Sequence, residues 1–269
     1  MKIVSKVKTV IKFYFNSLRS LLDLNKRYIR LTPFYRGKIY FYDRERKCFF
    51  CIFVRERVDS GTADQVFTND DYDLKFLKRY DELLEKYNNI LAQSKIPLII
   101  DCGANIGCST IHFATTFPNS IVVAVEPENN NFLMMEKNCK DLNNIRLLNN
   151  AIGSANGFVS IDDVESDNNA FRTNLNDNKG DIEMLSINTI LSSHNEFIPF
   201  VVKIDIEGFE EDLFSRNTEW VEKFPLLIIE THDWMLPRQA NSHNFLKVIS
   251  EQHRDFIHKG ENIFSISNI

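Results

Sequence analysis

The chain has no excess of basic residues: 37 Asp and Glu stand against 32 Lys and Arg, a formal net charge of −5 at pH 7. Without an overall positive field it has little to attract phosphates, which excludes a general nucleic-acid binder. No apolar run approaches the roughly 20 residues needed to span a bilayer. The first 30 residues are basic but lack a continuous apolar core and a small-residue cleavage site, so no signal peptide is expected. Cysteine is sparse and odd in number, five in 269 residues, which points to reduced thiols and a cytoplasmic setting. Cys48 and Cys51 form a lone C-x-x-C; a zinc site would need two more ligands nearby, and their absence makes these strand residues. Internal repeats are also lacking. What is there, 43% hydrophobic and 26% charged residues, is ordinary for a globular protein, and 269 residues suit one α/β domain with an extension.

Residues 1–30 carry eight Lys or Arg against the single acid Asp23, with apolar residues from Ile3 to Leu22 at helical spacing. Such a basic amphipathic helix either lies on an anionic membrane surface, at its inner face, or packs as an accessory helix; the second reading is preferred. Residues 38–58 read as two strands around a charged turn, followed by a helix over about Asp70–Gln93. The division expected is an N-terminal extension, 1–56, and a second domain, 57–269.

From Pro97 the pattern changes to short apolar strands alternating with helices, which predicts a doubly wound, mostly parallel sheet. Two closing strands near Asp255–His258 and Ile263–Ile266 predict an antiparallel C-terminal hairpin. The stretches Asp162–Asn169 and Asn174–Asp181 read as one exposed loop region.

Three strand ends carry chemistry. LIIDCGANIG at 98–107 brings Asp101 to a turn where Gly103 and Gly107 open a helix, so the backbone can approach a ligand and free N–H groups are on offer. The third glycine of a dinucleotide loop is missing, which disfavours an NAD-dependent oxidoreductase. VVAVEPEN ends its strand at Glu126, placed to accept both hydroxyls of a ribose. FVVKIDIEGFEEDL ends at Asp205, which with Glu207 faces the same cleft as Asp101; two acids so placed are solvated, bound to cations or positioned for proton transfer. Glu210 and Glu211 read as acids capping the following helix.

DCGANIG, EPENNNF, KIDIEGFE and LLIIETHD, in this order and spacing, resemble the FkbM family of S-adenosylmethionine-dependent methyltransferases. RVDSGTADQVF at 57–67 is similar to the segment preceding the family's core, so the resemblance runs from Arg57 to the end, while residues 1–56 match no family. It implies a seven-stranded, Rossmann-like class I methyltransferase sheet and methyl transfer, usually to a hydroxyl. Asp101, Gly103, Asn105 and Gly107 would surround the methionine part of the cofactor. Glu126 would hold its ribose, and Asn149, Asn150, Ala151 and Ile152 would border its adenine. Asp205 would also attract the sulfonium.

The acceptors implied are a sugar, a glycan or a glycosylated small molecule, on which Phe209 or Trp234 could stack, although buried aromatics are more often core residues. A hydroxyl acceptor benefits from a base, for which Asp205 is the first choice and His232, in THD after a buried strand, the second, with Glu207 beside them. No spacing rule demands a metal, and no metal ligands are assigned; were a divalent cation bound, Glu230 and Asp233 would join Asp205. A non-catalytic scaffold keeping the fold is the alternative of a different kind, and a homo-oligomer is compatible with the sequence.

Overall fold

The computed structural model describes residues 21–23, 26–33, 37–162, 172–175 and 182–268. The basic helix expected before residue 21, and much of the polar region expected as a loop, lie outside them. Among the described residues no helix is long and apolar enough to cross a membrane.

The chain divides into two compact units, Met1–Asp73 and Leu74–Ile269. In the first, β1 (Tyr28–Arg30), β2 (Lys38–Asp43) and β3 (Cys48–Phe53) form an antiparallel sheet in that order. The alternation of β2 buries Ile39, Phe41 and Asp43 on one face. Helix α1 (Arg57–Phe67) belongs to this unit, because Phe67 packs its ring against Tyr28, Phe41 and Phe50 at centroid distances of 5.0–5.2 Å. The break therefore falls after α1 and not before it, where the sequence division had been drawn. Cys48 and Cys51 are strand residues with free thiols.

The single helix expected over Asp70–Gln93 is shorter, α2 (Tyr80–Ala92), preceded by one 3₁₀ turn at Leu74–Phe76. Asp70, at φ 59°, is in the left-handed region, which interrupts a right-handed helix.

The second unit is built on seven strands in the order β13-β14-β12-β11-β4-β5-β6. They are β4 (Ile96–Cys102), β5 (Ile121–Val125), β6 (Ile145–Leu148), β11 (Phe197–Ile204), β12 (Leu226–Glu230), β13 (Arg254–Lys259) and β14 (Asn262–Ser267). β6, β5, β4, β11 and β12 pair in parallel, while β14 runs antiparallel to both β12 and β13, the expected hairpin. After Ile96 every residue of β4 is buried, as a strand covered on both faces requires. On one face, strand residues such as Ile100, Val123 and Ile204 pack with α5 (Ile187–Ser193), α6 (Glu210–Leu213) and α7 (His243–Ser250) through Ile190, Leu213 and Phe245. On the other, Phe200 meets Tyr87 of α2 and Phe117, which caps α3 (Cys108–Thr116). Helix α4 (Asn129–Cys139) connects β5 to β6.

A second sheet, unforeseen, has the order β7-β10-β8-β9: β7 (Ala151–Gly153), β8 (Gly157–Asp162), β9 (Arg172–Leu175) and β10 (Ile182–Ser186). Its small core of Ala151, Val159 and Met184 takes in Phe209, which is therefore a core residue and not an exposed stacking platform.

Candidate functional site

The strand order reverses between β4 and β11, and open α/β sheets bind ligands at the carboxyl ends of the strands flanking such a reversal. A cleft opens there. Of the residues expected at a cofactor, Gly103, Asn105, Glu126, Ala151, Ile152 and Asp205 line it, as does Asn150; Glu207, expected for catalysis, lines it too. Val125, Pro127, Asn131 and Ile206 also line it and had not been singled out. Gly103 takes φ +76°, and a Cβ there would stand 1.7 Å from the Asp205 carbonyl oxygen. The loops after β4 and β11 thus touch backbone to backbone, which only glycine permits.

Glu126 is buried at the end of β5. Its Oε2 accepts from the Asn105 N–H (2.8 Å) and its Oε1 from the Glu128 N–H (3.0 Å), with Asn131 Nδ2 at 3.4 Å. Oε1 thus meets two donors and Oε2 one, so Oε2 keeps acceptor capacity. Burial pushes the Glu126 carboxyl up to about 7, against these donors.

Asp101, Gly107 and Asn149 are not among the residues lining the cleft. Asp101 is fully buried; its Oδ2 accepts from Ser109 Oγ (2.7 Å) and Thr110 Oγ1 (2.6 Å) of α3, and its Oδ1, without a hydrogen bond, faces Lys203 Nζ at 3.2 Å. Contact with the methionine part was expected of Asp101; it is not among the residues lining the cleft, and its partners are those two hydroxyls and the ammonium. Gly107, at φ +88°, is the N-cap of α3 and lies against Met135 and Cys139 of α4. Asn149 Nδ2 donates to the Glu126 carbonyl (2.9 Å), steadying the chain beside the acid.

Lys203, which sequence reasoning passed over, is 2% exposed one residue from the carboxyl end of the apolar strand β11. Its Nζ donates to the Gly103 carbonyl (2.7 Å) and lies between Asp101 and Asp205 Oδ2 (3.3 Å). A cation buried so deeply needs such partners, and here they tie both loops together. A lysine inside FVVKIDI was the available sign.

Beyond Asp205, His232 turns its Nε2 to Asp205 Oδ1 (3.5 Å), Glu207 Oε2 (3.6 Å) and Glu230 Oε1 (3.7 Å). Its Nδ1 is 2.9 Å from Oε1 of Glu210, which is fully buried and also bonded by Asn241 Nδ2. Glu210 is thus the acid that fixes the imidazole, and its Oε1 also accepts from the Ile206 and Gly208 N–H groups (3.4 Å each) just ahead of the helix it was expected to cap. Burial alone would lower the His232 pKa, but the Glu210 hydrogen bond and the surrounding carboxylates raise it to about 9. Burial first, then the Asp205 charge, pushes Glu207 up to about 7 and Glu230 to about 8. Glu207 sits at φ +54°, a left-handed position costly for a residue with a Cβ. Asp233 is not part of this group; its Oδ1 accepts from the Ser242 N–H before α7. Trp234 is exposed.

The family described as the methyltransferase FkbM domain matches residues 101–257, more than half the chain and every residue of the cleft. The chain belongs to the FkbM methyltransferase family. No curated protein matches it. Solved structures similar to this FkbM methyltransferase include a Staphylococcus aureus protein assigned as a caffeoyl-CoA O-methyltransferase, 11% identical with a TM-score of 0.41, covering 79% of this chain and 100% of that one. Another is the bifunctional kinase-methyltransferase WbdD, 10% identical with a TM-score of 0.42, for which the match covers 73% of this chain and 40% of that one. A third is M. capricolum TrmK in complex with S-adenosyl-homocysteine, 12% identical with a TM-score of 0.35, covering 66% and 65%.

The protein is an S-adenosylmethionine-dependent methyltransferase. The residues present fit that cofactor: a cleft with an apolar stretch (Val125, Pro127, Ala151, Ile152), a buried carboxylate with acceptor capacity to spare, and further acids at its other end.

Proposed function

We propose that this FkbM methyltransferase methylates a hydroxyl oxygen of a sugar, glycan or glycosylated small molecule. The observation carrying this reading is the placement of Asp205 and Glu207 together on the cleft wall, because a hydroxyl, unlike an amine or thiolate, is a poor nucleophile until its proton is drawn away. The cofactor, when bound, supplies a methyl group on a sulfonium, so positioning of the acceptor oxygen is a large part of what the protein contributes. Glu126 would hold the ribose hydroxyls and Asn150, Ala151 and Ile152 would flank the adenine. Asp205 would take the acceptor's proton with Glu207 beside it. His232 is less suited to that task, since a ring protonated at neutral pH has no free lone pair. The test of the acceptor is mass spectrometry of glycans from cells with and without the protein. A 14-Da difference (one CH₂) on a glycan is expected, and its absence across glycans and glycosylated metabolites would remove the sugar reading.

Glu126→Ala should weaken S-adenosylhomocysteine binding by about 1–3 kcal/mol in calorimetry. Cofactor affinity should also depend on pH. With Glu126 at about 7, the ionised, doubly accepting form grows between pH 6 and 8, and affinity should rise about tenfold across that window. Protein stability runs the other way: a carboxyl whose folded value lies above its ordinary 4.5 favours folding while protonated, and this contribution fades as pH climbs through about 7. The same titration with Glu126→Gln should lose the pH dependence of binding.

A further inference from the structure

We propose that Asp205, Glu207 and His232 form a binding site for a divalent first-row transition cation at the mouth of the cleft. The three residues offer one ligand atom each, all within 4.8 Å of one another, on the loops after β11 and β12. A cation about 2.1 Å from an imidazole nitrogen and a carboxylate oxygen holds those atoms about 3.0–3.5 Å apart, for angles between 90° and 110°. His232 Nε2 stands 3.5 Å from Asp205 Oδ1 and 3.6 Å from Glu207 Oε2, slightly wide of hydrogen bonding and close to that spacing.

An independent observation lies on the far side of the ring. His232 is 2% exposed, and its Nδ1 is bonded to the fully buried Glu210, which Asn241 in turn holds. A carboxylate gripping one imidazole nitrogen while the other points at a gap between oxygens is the arrangement that orients histidine towards a metal. One nitrogen and two oxygens favour manganese, iron or zinc over magnesium or calcium, which prefer oxygen alone. A cation there displaces the proton on Nε2, which leaves to solvent, and it spreads the charge of the carboxylates facing the ring.

This deepens the reading above and rests on it only for the cation's task, which would be to polarise the acceptor hydroxyl. Asp205 would meet the cation through Oδ1, leaving Oδ2, on the Lys203 side, for the hydroxyl proton.

The test is titration of the metal-free full-length protein with Mn²⁺, followed by loss of the free ion's electron paramagnetic resonance signal. One Mn²⁺ per chain is expected, displaced by Zn²⁺ more readily than by Mg²⁺, with affinity at least about tenfold lower in Glu207→Gln and His232→Gln. Circular dichroism checks folding, and should His232→Gln unfold, the more exposed Glu207→Gln decides. Absence of saturable binding at millimolar Mn²⁺, or equal affinity in folded Glu207→Gln, overturns the site. S-adenosylhomocysteine titrated into the same samples separates the two ideas: its binding without Mn²⁺ binding removes the cation alone, and Mn²⁺ binding without it keeps the cation and counts against the cofactor cleft.

Discussion

Asp205→Asn is expected to lower kcat by about 10²–10⁴-fold, the range associated with losing a positioned proton acceptor. The side chain is a quarter exposed and lies between Lys203 Nζ (3.3 Å) and His232 Nε2 (3.5 Å), two partners that hold it in place. Asparagine keeps the volume but cannot accept the proton, and its amide would confront one of those cations with a donor. S-adenosylhomocysteine, which lacks the sulfonium charge, should bind within about threefold of the unmodified protein, a difference of about 0.7 kcal/mol. Turnover at saturating cofactor together with calorimetry makes the comparison. An unchanged kcat would remove Asp205 from the proton's path, and a large loss in Glu207→Gln alone would move the role to Glu207.

The second large effect is on stability. Lys203→Met should cost about 3–5 kcal/mol, because it strands Asp101, fully buried and with one oxygen lacking any hydrogen bond, without its counter-charge. The change also removes the donor to the Gly103 carbonyl. Denaturant unfolding measures the loss, and pairing Lys203→Met with Asp101→Asn should recover part of it, since the double change leaves no buried charge unmatched. A loss below about 1 kcal/mol would mean the lysine is not needed to hold these loops.

How much of this was legible beforehand follows physical lines. The parallel sheet was readable because strands buried on both faces are continuous apolar runs, as Leu98–Ile100 and Ile121–Val125 are. The strand ends were readable because glycine and acids interrupt those runs. The small sheet was not, since β7 pairs with β10 some thirty residues away and its strands are short and mixed in polarity. Helix α1 was missed because its apolar positions, Ala63, Val66 and Phe67, are few and fall mostly in its last turn. Within the site, spacing put Glu126, Asp205 and Glu207 at one cleft but could not tell wall from foundation. Asp101 and Glu210 look like ligand-facing and helix-capping acids in sequence, and only the structure shows their partners, Ser109, Thr110 and Lys203 for one, His232 and Asn241 for the other.

The bare α-carbon at position 103 has a consequence for anyone wishing to redesign this enzyme. Because a methyl group there would collide with the Asp205 carbonyl, the loop after β4 and the loop after β11 cannot be retuned separately by enlarging their shared seam. Libraries aimed at new acceptors should leave that seam untouched and vary instead exposed positions such as Trp234.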